Sequence, residues 1–139
     1  MIEPVLIDTG PLVAVLYGKD SYHKKCVEQL GALTRAPITC WPALTEASHL
    51  LGRVGGSVGE LLRMVASKEL RVAELGEESA EWLKEFLNRY ASAGADLADA
   101  GLVYLAERDG ADTVFKLDRR DYSIYRLSNG KSLRLLPDG

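Results

Sequence analysis

Acidic residues stand at several points of the chain from which they could converge on one site. Asp8 and Asp118 each end a short apolar run that is typical of a buried strand. Glu46 lies one turn into a helix that follows another such run. Asp96 and Asp99 are three residues apart in the first turn of a predicted helix, so both project from one face. These positions predict an acidic cluster.

A cluster of carboxylates requires protons or a counter-ion. Two unit charges about 4 Å apart interact by ~4 kcal/mol at an effective dielectric constant near 20. Several such pairs cannot all stay ionised unless a cation neutralises them or some carboxylates take up protons. Oxygen donors without His or Cys favour Mg²⁺ or Mn²⁺ over zinc. Water bound to such a metal can be activated for attack on phosphorus, and the metal can neutralise a phosphate.

Each acid also has a simpler structural interpretation. Asp96 could be a helix N-cap, with Asp99 stabilised by the helix dipole. Asp8 could cap the first helix, and Asp118 could begin a turn. Glu46 could be a plain surface residue. Taken singly, none of these residues specifies a function, and only their convergence does.

The elements that must position the acids form an alternating α/β pattern. Short β-branched runs predict strands, and longer segments with helical periodicity predict helices. Five strands separated by helices imply right-handed crossovers and a mainly parallel sheet with helices on both faces, a three-layer α/β/α sandwich. In such sheets the site lies beyond the carboxyl ends of the strands. Strands are expected over 4–8, 36–41, 70–75, 113–118 and 132–136, and helices over 11–17, 21–30, 42–51, 57–67, 77–91 and 96–110.

Length and composition limit the possible classes. The chain has 139 residues, which predicts a single domain over 1–139. A net charge of -3 lacks the usual basic footprint of a nucleic-acid binder, so such a role needs a local patch or bound cations. No apolar run approaches the roughly 18 residues that span a bilayer, and the first residues do not resemble a secretory signal. Cys26 and Cys40 are too few for a disulfide framework, which favours a reducing, cytoplasmic location.

The order and spacing of the acidic segments resemble a known family. Along essentially its whole length the chain is similar to PIN-domain ribonucleases of the kind that form the toxin half of VapBC toxin–antitoxin modules. Four segments carry the resemblance: Leu6-Ile7-Asp8-Thr9-Gly10-Pro11-Leu12, Thr39-Cys40-Trp41-Pro42-Ala43-Leu44-Thr45-Glu46-Ala47, Asp96-Leu97-Ala98-Asp99-Ala100 and Leu117-Asp118-Arg119-Arg120-Asp121-Tyr122.

The resemblance implies a metal-dependent endoribonuclease that uses Mg²⁺ or Mn²⁺ to hydrolyse RNA and is blocked by a cognate antitoxin protein. It also implies a homodimer. Asp96 is a second acid of the third segment, and either it or Asp99 is the closer metal ligand. Thr9 matches a hydroxyl position that supports the site. The catalytic acids implied by the family are Asp8, Glu46, Asp99 and Asp118, with Asp8, Asp96, Asp99 and Asp118 as candidate metal ligands.

One residue departs from the family pattern. Lys116 stands where family members often carry Thr or Ser, two residues before the fourth acid. Its side chain either snorkels past the strand end into water or places its ammonium near the acids. In the second case it would replace part of a metal's charge or bind phosphate. Arg119 and Arg120 follow the fourth acid directly and are candidate RNA-phosphate contacts, or they form a solvated rim.

Two other functions fit the same pattern. The first is a non-catalytic PIN-like module that binds RNA or protein. The second is a phosphoaspartyl-transfer enzyme with Asp8 as nucleophile, of which only Asp8, Lys116 and Asp118 are in place. Thr9 and Gly10 stand where that chemistry typically wants another acid.

Apolar helix residues give two further expectations. In the second helix, Val27 and Leu30 are expected to face inward. The helices also carry more apolar side chains than one five-stranded sheet needs, which predicts a symmetric dimer. These side chains include Leu50, Leu51, Leu61, Leu62 and Met64.

Overall fold

A five-stranded parallel sheet forms the centre of the molecule. The computed structural model describes residues 4–117 and 125–137. The strand order is β3-β2-β1-β4-β5, and every neighbouring pair is parallel. The sequence-based prediction of five parallel strands is therefore confirmed. The strands are β1 (Val5–Ile7), β2 (Ile38–Thr39), β3 (Arg71–Val72), β4 (Thr113–Phe115) and β5 (Arg134–Leu136).

Helices connect the first strand to the second, the second to the third and the third to the fourth, as the crossover rule for parallel strands requires. Short 3₁₀ turns lie at Glu77–Ser79 and Ala91–Ala93. In the described part of the chain, none of the helices has the length and apolar character that crossing a bilayer requires. The helices are α1 (Thr9–Leu16), α2 (His23–Ala32), α3 (Trp41–Val54), α4 (Val58–Ala66), α5 (Ala80–Arg89) and α6 (Leu97–Asp109).

Alternation along the strands produces two separate cores. Successive strand residues point to opposite faces of a sheet. Leu6 and Val114 therefore pack on one face, with buried residues of α5 and α6. Ile7 and Phe115 pack on the other face, with buried residues of α1, α3 and α4. Helices thus cover both faces, which confirms the three-layer α/β/α arrangement.

The expectation for Val27 is wrong. Val27 is 43% exposed, whereas Cys26 is fully buried in the core. Residues four apart lie on the same face of a helix, so Cys26 and Leu30 form the inward stripe of α2 and Val27 lies a quarter turn away.

Most of the apolar residues that suggested surplus surface are part of the chain's own core. Leu51, Leu61 and Met64 are buried between the sheet and helices α3 and α4. Leu62, at 47% exposure, lies on the outer face of α4. Both faces of a parallel sheet are covered by apolar side chains, and the buried residues of α3 and α4 form part of that layer. The pattern of these residues therefore does not indicate a dimer.

Helix α6 begins and ends with strong signals. The Asp96 side chain accepts a hydrogen bond from the Asp99 backbone N–H at 2.9 Å, and the Asp99 side chain accepts one from the Asp96 N–H at 3.4 Å. This reciprocal pair is a capping box. Gly110, with φ of 76°, ends the helix in the left-handed conformation that glycine adopts without a Cβ penalty. The helix therefore begins directly after Asp96 and ends directly before Gly110.

Substitution of the cap tests this role. Asp96→Ala should lower the free energy of unfolding by about 1 kcal/mol relative to Asp96→Asn, because Asn keeps an acceptor oxygen and Ala does not. Both variants remove the same charge, so the comparison isolates the hydrogen bond. Urea unfolding without divalent cations measures it. Equal stability of the two variants would show that the side-chain cap contributes nothing.

Candidate active site at the carboxyl edge of the sheet

The register between β1 and β4 places two charged residues side by side. Ile7 is the last residue of β1 and pairs with Phe115, the last residue of β4. The next residues are Asp8 and Lys116, and the Asp8 N–H donates to the Phe115 carbonyl at 3.0 Å. Both side chains turn to the side of the sheet that α6 covers, where they contact Asp99 or one another. The strand pairing thus builds the centre of the site.

The Lys116 ammonium lies between two carboxylates. Its Nζ is 2.7 Å from Asp8 Oδ2 and 3.9 Å from Asp99 Oδ1. Lys116 and Asp99 are each 7% exposed and Asp8 is 5% exposed, so the lysine does not snorkel into water. Asp8 occupies the N-cap position of α1, yet its side chain accepts no capping hydrogen bond. Its carboxylate is used for the ion pair instead.

Asp99 is the most perturbed carboxyl group among those whose shifts are resolved in the described residues. Burial, together with the charges of Asp96 and Asp8, raises its pKa to about 7, while the charge of Lys116 opposes the shift. The Tyr125 hydroxyl donates to Asp99 Oδ2 at 3.2 Å. A carboxyl group with a pKa near 7 can accept or release a proton at neutral pH, which is the property that acid–base catalysis requires.

Tyr125 is a site neighbour that the sequence did not reveal. It is fully buried, and its ring packs against Phe86 and Tyr90 of the α5 region with centroids 5.0 and 4.8 Å apart. These contacts fix the direction of the hydroxyl that holds Asp99. Its distance of 26 residues from Asp99 matches no local motif, so only the fold brings the two together.

Glu46 lies on the open side of the site. The buried Thr9 hydroxyl is 3.2 Å from the Ala43 carbonyl and 3.3 Å from Glu46 Oε2, and it can donate to either. This contact ties the first turn of α1 to α3. Partial burial raises the pKa of Glu46, and the charges of Asp96 and Asp8 raise it further. Glu46 therefore belongs electrostatically to the same cluster.

The structure brings most of the expected site residues into one pocket. Asp96 is exposed at its rim, with one carboxylate oxygen engaged in the cap of α6. Asp99 is the acid of that pair that faces Lys116. Asp118, Arg119 and Arg120 lie outside the described residues. The pocket is lined by Asp8, Thr9, Gly10, Glu46, Leu50, Gly94, Asp96, Asp99, Lys116 and Leu117.

The donor atoms of the pocket are of the kind that a divalent cation prefers, but in the described part of the chain their arrangement does not form a site for one. Its donors are carboxylate and hydroxyl oxygens, which Mg²⁺ and Mn²⁺ prefer. Within residues 4–117 and 125–137, however, no three His, Cys, Asp or Glu residues are grouped so that they could hold an ion. The Lys116 ammonium stands between Asp8 and Asp99, the two most buried acids. In this arrangement a fixed cation takes up the space between them.

An apolar groove borders the acidic pocket. Trp41, at 47% exposure, and Leu97, at 48%, are its large exposed side chains, and Glu46 and Asp96 line both groove and pocket. Trp41 is the first residue of α3, and its indole N–H lies 3.4 Å from a Glu74 carboxylate oxygen. The groove therefore presents a flat aromatic surface directly beside the acids.

Comparison with known proteins gives a relative along the full length of the chain. No family model matches the sequence. The chain is 27% identical over 135 residues to Ribonuclease VapC26 of Mycobacterium tuberculosis, covering 96% of this chain and all of that protein.

Solved structures show the same fold. The VapC20 toxin of Mycobacterium tuberculosis, described as cleaving the Sarcin-Ricin loop, matches with a TM-score of 0.77 at 19% identity, over 84% of this chain and 92% of that one. A toxin–antitoxin complex from Klebsiella pneumoniae matches with a TM-score of 0.64 at 16% identity, over 86% and 91%. VapBC2 of Rickettsia felis, bound to promoter DNA, matches with a TM-score of 0.59 at 14% identity, over 97% of each chain.

Fold and sequence together define the class. The architecture is that of the PIN domain. The sequence is similar to Ribonuclease VapC26 along nearly its whole length, in agreement with the resemblance of its four acidic segments.

The raised pKa of Asp99 makes stability depend on pH. Its folded-state pKa of about 7 lies above the ordinary value of 3.8, so folding favours the protonated form. Its stabilising contribution is complete below about pH 4 and is lost as the pH rises through 7. Relative to Asp99→Asn, which stays neutral, the wild type should therefore lose stability between pH 4 and 7. At ~1.4 kcal/mol per pKa unit, the upper limit of that loss is about 4 kcal/mol.

Denaturant unfolding of both proteins, in chelator and at intervals from pH 4 to 8, measures the difference. Groups remote from Asp99 titrate alike in both proteins and cancel in the difference. A difference that does not change with pH would mean that Asp99 titrates at its ordinary value.

Proposed function

We propose that this protein is the toxin of a type II toxin–antitoxin pair, an endoribonuclease that hydrolyses RNA phosphodiester bonds. Support comes from a relative of the same length whose name is Ribonuclease VapC26, and from the fold shared with a toxin that cleaves the Sarcin-Ricin loop. The observation that carries the proposal is the pocket itself. Asp8, Glu46 and Asp99 come from three separate elements and meet at the carboxyl edge of a parallel sheet.

The perturbed carboxyl groups supply the chemistry. Hydrolysis of a phosphodiester needs a group that removes a proton from the attacking water and a group that delivers one to the leaving oxygen. In the metal-free site Asp99, with a pKa of about 7, can exchange a proton near neutral pH, whereas as a ligand of a divalent cation it would be ionised and would hold the metal instead. Thr9 holds Glu46 at the mouth of the pocket, where RNA would approach. We assign Asp8, Glu46, Asp99 and Asp118 as the catalytic acids, with Thr9 as a positioning residue.

The activity is proposed to depend on Mg²⁺ or Mn²⁺. The resemblance to the family and the oxygen-only donors support this dependence, with Asp8, Asp99 and Asp118 as ligands and Asp96 at the rim. An RNA phosphate carries negative charge into a pocket that is already acidic, so the substrate also requires a counter-charge there.

Single-stranded RNA is the proposed substrate. The apolar groove beside the pocket offers the exposed Trp41 ring as a surface on which an unpaired base can stack, a contact worth about 1–3 kcal/mol per base in other proteins. Arg119 and Arg120 would contact phosphates. The net charge of -3 indicates that such local contacts, rather than a global basic field, must supply the affinity.

A cognate antitoxin and a second copy of the chain are the proposed protein partners. The neighbouring structures include toxin–antitoxin complexes, which supports an antitoxin partner. The family resemblance supports a homodimer. The apolar helix residues add nothing to that support, because most of them are buried in the chain's own core. We propose one PIN-like domain over 1–139, working in the cytoplasm.

Cleavage of RNA by matched variants tests the function. The purified protein should cut a mixed-sequence, end-labelled single-stranded RNA when Mg²⁺ or Mn²⁺ is present, and chelator should abolish cleavage. Asp99→Asn should reduce the rate by about 100-fold or more, which is typical for loss of a group in acid–base catalysis. Asp109→Asn removes an equal charge from the far end of α6, where Asp109 pairs with Arg108, and should leave the rate unchanged.

Three results would contradict the proposal. Equal cleavage by Asp99→Asn and wild type would identify a contaminating nuclease. RNA binding without cleavage under any metal condition would favour the non-catalytic binding module. A phosphorylated Asp8 after incubation with a small acyl phosphate would instead support the phosphoaspartyl-transfer alternative.

A further inference from the structure

We infer that the Lys116 ammonium is a built-in counter-ion that occupies the place of a divalent cation between Asp8 and Asp99, and that it must leave when metal binds. The inference deepens the proposed function and rests on its metal dependence. The geometry that supports it is the position of Nζ, 2.7 Å from one carboxylate and 3.9 Å from the other.

Steric and electrostatic considerations both make the two cations alternatives. A divalent ion that contacts both carboxylates must lie between them, where the ammonium now lies. An ammonium left beside that ion would repel it, since like charges a few ångströms apart interact unfavourably in a partly buried site. Lysine has a flexible four-carbon stem, so its head can move away without a change in the backbone.

The exchange gives Lys116 a role in both states of the site. Without metal, its charge keeps two buried carboxylates from repelling one another across the sheet edge. With metal, the displaced ammonium stays tethered to the strand end and is available to an incoming phosphate. Metal binding would then both assemble the site and release a cation toward RNA.

Metal affinity measured on a lysine variant tests the exchange. In Lys116→Met the competing charge is gone, so Mn²⁺ should bind about tenfold more tightly than to wild type, equivalent to ~1.4 kcal/mol. Titration calorimetry or the electron-spin-resonance signal of free Mn²⁺ gives the affinity. Lys84→Met is the matched control, because Lys84 is an exposed lysine of α5 paired with Glu81 and its removal changes net charge equally. Unchanged or weaker binding by Lys116→Met would overturn the inference.

A measurement on the wild type avoids any loss of folding in the variant. Reductive methylation followed by peptide mass spectrometry reports how accessible each lysine amine is. Lys116, being buried, should react slowly in chelator and several-fold faster in saturating Mn²⁺, while Lys84 should react at one rate in both. Equal protection of Lys116 with and without bound Mn²⁺ would show that the ammonium stays in place.

Neither measurement uses RNA cleavage, so the inference and the proposed function can fail separately. Tighter Mn²⁺ binding by Lys116→Met without any cleavage would support the exchange and contradict the nuclease. Cleavage that requires metal, together with unchanged Mn²⁺ affinity in Lys116→Met, would support the nuclease and overturn the exchange.

Discussion

Mutual repulsion among carboxylates at one sheet edge is the constraint on which the site depends. Asp8, Glu46, Asp96 and Asp99 line a single pocket that Lys116 also lines. Three local features hold these acids: strand register places Asp8, a threonine hydroxyl contacts Glu46, and the helix cap holds Asp96 and Asp99. Because these features belong to the fold, folding assembles the charges whether or not a cation is present. The protein therefore has to balance them internally or bind something that does.

Two features reduce the repulsion among the acids: the positive charge of Lys116 and the protonation of Asp99. Lys116 pairs with Asp8, and burial raises the pKa of Asp99 enough for a proton to neutralise it near pH 7. The ion pair and the bound proton reduce the repulsion among the acids, and both can be displaced. An acidic group ready to release its proton and a displaceable ammonium are what a metal ion or a phosphate can exploit. A site of this kind trades some stability for function, a common feature of active sites.

Sequence reasoning could predict the sheet and the elements that carry Asp8, Glu46, Asp96 and Asp99, because both follow from short-range rules. The β-branched runs, the glycine at 110 and the cap at Asp96 are local signals, and each one appears in the structure. The predicted strands are longer than the observed ones, because β propensity extends beyond the residues whose backbones pair in the sheet. Val27 and Cys26 both stand at helical spacing before the inward-facing Leu30, three and four residues away, and the spacing alone does not decide that Cys26 is the buried one.

Other parts of the site could not be predicted because they depend on long-range geometry. The Lys116–Asp8 pair spans 108 residues and depends on the register of β1 against β4. From the sequence alone, the Lys116 ammonium could lie either in water or near the acids. The Tyr125 contact depends on aromatic packing against α5. The choice between Asp96 and Asp99 as the inner acid follows from the direction in which the cap turns each carboxylate. None of these features has a signature in residue spacing.

Diffraction from crystals soaked in Mn²⁺ tests the central claim most directly, because manganese gives an anomalous signal that an ammonium does not. The account predicts one anomalous peak in contact with the carboxylates of Asp8 and Asp99, with the Lys116 side chain turned away from Asp8. An intact Lys116–Asp8 pair in crystals saturated with Mn²⁺, with manganese bound elsewhere or absent, would contradict it.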